Sequence, residues 1–182
     1  MSNIFLQGPH NRFTWDKLGD IKDGRKNLGE SMPVLVYRLL EYSMNHVLTD
    51  KLGVEGANDV FRDAGHLAGT EFAKNMLPLD APLGKFLAEL QRILQELKIG
   101  ILRMEEMDEE SGIFTLTVAE DLDCSGLPPT DEVVCNYDEG FIAGIMTVYT
   151  GRTYKVQEID CWASGARVCR FQGRVMDKGM GS

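Results

Sequence analysis

Three cysteines and a glutamate in the last third of the chain are of the residue types that hold a metal. Cys161 and Cys169 flank the stretch Trp162-Ala-Ser-Gly-Ala-Arg-Val168, Glu158 stands just before the first of them, and Cys135 lies upstream in Val133-Val134-Cys135. Three thiolates and one carboxylate make a tetrahedral donor set that suits zinc. Gly165 is midway between Cys161 and Cys169, so a turn symmetric about it sets the two sulfurs opposite each other across a hairpin. Glu158 and Cys161 differ by an odd number of positions and point to opposite faces of a regular strand. A bulge or a curled strand end is needed to bring them together. The same spacing also fits a disulfide between Cys161 and Cys169, or buried thiols without a partner. It is not the paired CxxC pattern of a zinc ribbon.

A longer set of residues resembles a known family. The run Asp123-Cys124-Ser125-Gly126-Leu127-Pro128 is followed by Cys135, by Gly140-Phe141-Ile142-Ala143-Gly144, by Glu158-x-x-Cys161, and by Gly165-x-x-x-Cys169-x-Phe171. Together these resemble the 4-vinyl reductase domain family, also described as predicted hydrocarbon-binding proteins. The match is most specific from Cys124 to Phe171, and Ala64-Gly65 with Gly69 extends it towards the N-terminus. It is similar as well to the aromatic-sensing domains of phenol-responsive bacterial regulators, where three cysteines and a glutamate hold zinc. The resemblance therefore implies a structural zinc on Cys135, Glu158, Cys161 and Cys169, with Cys124 as the rival for the fourth position.

Composition bounds the class. A chain of 182 residues suits one domain with a sizeable core. Its net charge of −9 argues against a nucleic-acid surface, which needs a basic patch, and against anionic membranes. No apolar run is long enough to span a bilayer. The N-terminus lacks the charged and apolar regions of a signal peptide. Four cysteines without an export signal suggest a reducing compartment, and so a cytoplasmic protein.

The elements that must position these residues follow from pattern. Residues 1–30 are polar and broken by Gly8-Pro9, Gly19, Gly24 and Gly29; Phe5, Phe13 and Trp15 there need the body or a partner subunit to pack on, and His10 reads as solvated. A single domain follows over residues 31–175, with a disordered tail over 176–182. Ser31 and Pro33 open a first helix that ends at Gly53, with Tyr37 and His46 on its flanks. A second helix runs from about Glu55 to Met76. Its Gly65 and Gly69 share a face that admits another backbone, as a packing, dimer or ligand contact, with His66 between them. The clearest helix is the third. Asp80 caps it, Pro82 starts it, Leu83, Phe86, Leu87, Leu90, Ile93, Leu94 and Leu97 form its stripe, and Gly100 closes it. Ile101–Met107 and Ile113–Ala119 read as a hairpin about Asp108–Gly112, and the two prolines after Leu127 as a loop. A short helix over Glu139–Tyr149 and a last hairpin, Tyr154–Cys161 with Val168–Val175, complete an α+β order: an antiparallel sheet covered by helices. The resemblance implies the same fold, shared with haem-NO-binding domains and small vesicle-tethering subunits, which commonly pair as homodimers.

Catalytic signatures are missing from this sequence. There is no GxGxxG after a strand, no P-loop and no GxSxG elbow. The three histidines have no metal-ligand spacing, and the Tyr-x-Ser-x-Arg motif of the haem relatives is absent. Four protein ligands close a zinc site and make it structural. The reading that follows is a zinc-containing module that senses or carries a small apolar or aromatic ligand, with a separate output protein. The alternatives are an enzyme or assembly factor acting on a vinyl tetrapyrrole, and a protein-assembly scaffold. For the pocket, Phe86 and Leu90 on the third helix, Phe114 and Leu116 on the strand, Phe72, and Tyr154 with Trp162 are the candidate walls.

Overall fold

The computed structural model describes residues 13–130 and 132–176; Phe5, His10 and residues 177–182 lie outside the described residues. The chain divides into two units, Met1–Met32 and Pro33–Ser182. In the first unit Trp15–Leu18 makes a 3-10 turn and Ile21–Gly24 one helical turn, α1, and neither buries a residue. Asp20 caps α1 by accepting the N–H of Asp23 at 2.8 Å.

The second unit runs α2 (Val34–Met76), α3 (Leu83–Glu96), β1 (Ile101–Asp108), β2 (Ile113–Ala119), α4 (Asn136–Thr150), β3 (Tyr154–Asp160) and β4 (Cys169–Val175). The four strands form one antiparallel sheet in the order β1-β2-β4-β3. The expected α+β architecture is the one observed.

The two expected N-terminal helices are the halves of α2, hinged at Gly53. Its φ of 75° and ψ of 169° lie where only glycine is unstrained, so the chain bends there without leaving the helix for long. Two expected caps are corrected. Pro33, not Ser31, is the N-cap of α2, and Pro82, not Asp80, is the N-cap of α3; neither helix start has a side-chain cap. A proline needs no N–H partner at that point, so the cap is dispensable. The end of α3 also differs. Leu97 caps it and Lys98 takes the left-handed turn (φ 60°) that was expected of Gly100. Helix α4 starts three residues earlier than Glu139, directly after Cys135.

The stripe of α3 is buried as expected, through Phe86, Leu90, Ile93 and Leu94. So are Leu102, Phe114, Leu116, Val156 and Phe171 of the sheet and Ile142, Ile145 and Met146 of α4. Burying each such side chain contributes on the order of 1.5–3 kcal/mol. The Phe86 ring stacks on Tyr149 at 3.8 Å between centroids, and Phe114 tilts against Tyr154 at 5.6 Å.

The closest packing is between α2 and α4. A Cβ on Gly69 would stand 2.8 Å from the carbonyl carbon of Phe141, and one on Gly140 the same distance from that of Arg62. Gly65 and Gly144 meet the facing backbone in the same way. The glycine faces noted in the sequence therefore serve each other within one chain. Arg62 clamps the crossing, donating to Glu139 at 2.6 Å and to Asn136 at 2.7 Å, and Glu139 in turn accepts the N–H of Glu158 at 2.7 Å. This fixes the start of α4, and with it Cys135, against β3.

Candidate metal centre and apolar cavity

Four buried, free cysteines converge: Cys124, Cys135, Cys161 and Cys169. Their sulfurs all lie within 4.8 Å of one another. Cys135 Sγ is 3.8 Å from both Cys161 Sγ and Cys169 Sγ, and Cys124 Sγ is 3.1 Å from Cys169 Sγ. Each sulfur comes from a different kind of element. Cys124 stands in the loop after β2, Cys135 immediately precedes α4, Cys161 immediately follows β3, and Cys169 opens β4. Val118 at the end of β2 pairs with Cys169, so the sheet register itself delivers the Cys124 loop to the site.

The bulge needed near Cys161 is present. The β3–β4 register shifts between Glu158 and Asp160. It does not turn the Glu158 carboxylate into the sulfur group. Glu158 Oε2 instead accepts the backbone N–H of Cys135 at 3.0 Å, and Oε1 is buried without a hydrogen-bond partner. Burial, followed by the neighbouring Cys161, pushes the Glu158 carboxyl up to about 8. The geometry thus groups Cys124 with the other three thiols and leaves Glu158 beside the backbone of one of them.

This donor set fits a metal ion. Zinc about 2.3 Å from four tetrahedral sulfurs places those sulfurs about 3.8 Å apart. Two observed separations equal that value, and the Cys124–Cys169 pair needs to open by about 0.7 Å. Without a cation the group is electrostatically frustrated. Sharing hydrogen bonds with Cys124 first, then Cys161 and Cys169, pushes the Cys135 thiol far up, whereas hydrogen bonds from Cys124, Cys135 and Cys169 push Cys161 down. A bound metal would hold all four as thiolates. The chain supports such charge at Cys161 with a hydrogen bond from the Val134 backbone and a tight turn: the Cys161 N–H reaches Ser164 Oγ at 3.2 Å, and Gly165 (φ 94°) reverses the chain.

Acidic groups surround the sulfurs. Asp121 Oδ1 accepts the N–H groups of Asp123 and Cys124 at 2.9 and 3.1 Å, which shapes the Cys124 loop. Its carboxylate, that of Asp138 and Cys135 Sγ lie within 4.8 Å of one another. Burial raises Asp138 well above the usual carboxylate range, and Asp123 and Asp121 add to the effect. Asp123 accepts the Tyr37 hydroxyl at 2.8 Å, and its backbone carbonyl accepts that of Tyr42 at 3.0 Å.

Tyr37 leads to a cavity. A space of about 220 Å³ is lined by Tyr37, Leu40, Glu41, Met44, Leu48, Val60, Phe61, Ala64 and Tyr137. The two halves of α2 form its walls and the first turn of α4 its floor. Burial, then Asp123 and Asp121, pushes the Glu41 carboxyl up to about 8. The sequence reading placed Tyr37 on a helix flank. A usable signal was there: Tyr37 and Glu41 are four apart and fall among Leu40, Met44 and Leu48, so two polar residues interrupt an apolar stripe.

The expected pocket walls lie elsewhere. Phe72, Phe86, Leu90, Phe114, Leu116 and Tyr154 are all buried core. Leu90 and Leu116 border only about 20 Å³ of free space, far less than the roughly 150 Å³ that admits a benzene ring. The correction has a simple cause: α3, α4 and the sheet interdigitate fully, whereas the bend at Gly53 holds the halves of α2 apart. Trp162 is half-buried, donates its indole N–H to the Leu127 carbonyl at 3.3 Å, and borders a separate, more polar cleft with Arg38 and Arg167.

Residues 114–175 match the 4-vinyl reductase domain. The resemblance drawn from the cysteine and glycine pattern is borne out. Two relatives from Methanocaldococcus jannaschii, the uncharacterised proteins MJ1642 and MJ0150, are 29% and 26% identical over 84% of this chain and 83% and 82% of their own lengths. Among solved structures, the phenol-responsive sensory domain of the transcription activator PoxR, in complex with phenol, is similar with a TM-score of 0.62 at 17% identity, over 84% of this chain and 79% of that one. A vinyl-4-reductase family protein from M. jannaschii gives 0.57 at 18% identity, over 82% and 85%. A trafficking protein particle complex subunit 3 from Naegleria fowleri, covalently bound to palmitic acid, gives 0.57 at 11% identity, over 80% and 98%. At these identities the likeness is one of fold. Among the described residues no helix is long and apolar enough to cross a membrane.

Proposed function

We propose that this protein is a metal-stabilised sensor or carrier domain that binds a small apolar ligand in the cavity between the halves of α2. The metal is a structural zinc on Cys124, Cys135, Cys161 and Cys169, with Glu158 holding the Cys135 backbone in place. Four protein ligands leave no open position for catalysis, which favours binding over an enzymatic role. When bound, the zinc ties the β2 loop, the start of α4 and both strands of the last hairpin to one point.

The observation that carries this reading is Tyr37. It lines the cavity and donates its hydroxyl to Asp123, the neighbour of Cys124. A ligand that moves α2 therefore moves the loop carrying a metal-binding thiol. That the PoxR domain holds phenol on a similar fold supports the choice of ligand class.

The reading includes a homodimer. Leu35 and Leu39 are 75% and 69% exposed, and Val36, Leu40, Met44 and Val47 are also exposed on the first half of α2. A contiguous apolar face of this kind marks an interaction surface, and a second copy is its commonest occupant. The protein acts in the cytoplasm, where thiols stay reduced, and passes its ligand state to a separate output protein. Native mass spectrometry of freshly purified protein tests the reading. It should show one zinc per chain, a dimer and a co-purified small molecule or ready uptake of one. A metal-free chain with a Cys161–Cys169 disulfide would contradict it.

A further inference from the structure

The chemistry of the cavity wall narrows the ligand beyond apolar. Of the nine lining residues, the charged one is an acid, Glu41, and none is a lysine, arginine or histidine. Three are aromatic: Tyr37, Phe61 and Tyr137. Glu41 stands close enough to Asp123 to share a hydrogen bond, yet Glu41 Oε2 and Asp123 Oδ2 are both buried with no donor. The nearest cation does not answer them. Arg38 directs its guanidinium to backbone carbonyls, reaching Leu122 at 2.8 Å and Ser125 at 2.9 Å. Behind Glu41 stand three more acids, Asp121, Asp123 and Asp138.

We propose that the cavity selects an organic ammonium ion: a one-ring or short alkyl body bearing a protonated amine, its head group at Glu41 and its body among Leu40, Met44 and Val60. This rests on the cavity being the ligand site. An ammonium supplies the donors that Glu41 Oε2 and Asp123 Oδ2 lack, as charge-assisted hydrogen bonds. The faces of Tyr37, Phe61 and Tyr137 attract the same charge through their quadrupoles. A carboxylate of equal size would meet the buried acids with no compensating cation and would be rejected. The volume of about 220 Å³ suits a single ring with a short side chain.

The test is calorimetric titration of the full-length, zinc-loaded protein with three probes of one shape: phenethylamine, phenethyl alcohol and phenylacetate. The amine should bind about tenfold more tightly than the alcohol, and phenylacetate most weakly. Glu41→Gln should lower amine affinity to that of the alcohol and leave the alcohol unchanged. Phe61→Leu, which keeps the acid, should weaken the amine more than the alcohol and serves if Glu41→Gln does not fold. Val60→Trp should abolish binding of all three. Equal affinity for amine and alcohol, a preference for phenylacetate, or an amine preference that survives both Glu41→Gln and Phe61→Leu would overturn the proposal while leaving the cavity as an apolar site. No binding by any probe, or binding untouched by Val60→Trp, would overturn the cavity reading itself and this proposal with it.

Discussion

Gly69→Ala should destabilise the protein, although alanine is the better helix former. In an exposed helix the exchange gains up to about 1 kcal/mol. Here the new Cβ would stand 2.8 Å from the Phe141 carbonyl carbon, and nearer still to its oxygen. Carbon atoms rest about 3.5–4.0 Å apart, so α2 and α4 must separate by roughly 1 Å. The obstacle is backbone and cannot rotate away. Overpacking of this kind costs about 1–3 kcal/mol, and a gap of up to 1 Å also forfeits a quarter to a half of the dispersion along the crossing. The net loss is on the order of 2 kcal/mol. For a domain of this size that lowers Tm by about 4–8 °C. Gly84→Ala is the matched control, since nothing lies within 4 Å of its Cβ position and it sits in α3. It should leave Tm unchanged or raise it by a few degrees. Thermal unfolding of the zinc-loaded proteins, followed by circular dichroism, makes the comparison. If Gly69→Ala behaves like Gly84→Ala, the intrachain glycine crossing is wrong.

Leu39→Glu should convert a dimer into a monomer by light scattering at micromolar concentration with little change in fold, because Leu39 is exposed within the chain; a monomeric wild type would contradict the interface. Glu41 also makes a pH prediction. Its carboxyl lies at about 8 when folded against an ordinary 4.5, so its contribution is complete below about pH 4.5 and is lost as pH rises towards 8. The Tm of Glu41→Gln relative to wild type should therefore climb between pH 5 and pH 8, and a flat difference would show that Glu41 is not buried as described. Arg62→Ala breaks the link to Glu139 and Asn136 and strands the buried Glu139, which should cost on the order of 3 kcal/mol; chemical denaturation showing less than about 1 kcal/mol would count against the clamp.

The stripe of α3 and the β1–β2 hairpin were legible because each is a local period, 3.6 or 2, repeated over one element. The bend at Gly53 was legible as a break, though not as the hinge of a cavity. Caps were misplaced because a preceding proline removes the need for the serine or aspartate that the pattern suggested. What the sequence could not show was long-range register. Cys124 reaches Cys169 only because β2 pairs with β4 and ends at Val118. Glu158 looked like a ligand because it precedes Cys161 closely in sequence, yet the bulge leaves its carboxylate on the Cys135 backbone. The cavity was missed for the same reason. Its walls come from residues near 40, 60 and 137, and only the α2–α4 crossing sets them together.

The central claim is that four thiols, and not three thiols with Glu158, hold one zinc. Elemental analysis of the purified wild type, Cys124→Ser and Glu158→Gln tests it directly, with each variant first checked for folding. The account predicts one zinc per chain in the wild type and in Glu158→Gln, and a clear loss of zinc, with lowered thermal stability, in Cys124→Ser. Full zinc in Cys124→Ser together with its loss in Glu158→Gln would contradict the account and restore the carboxylate as the fourth ligand.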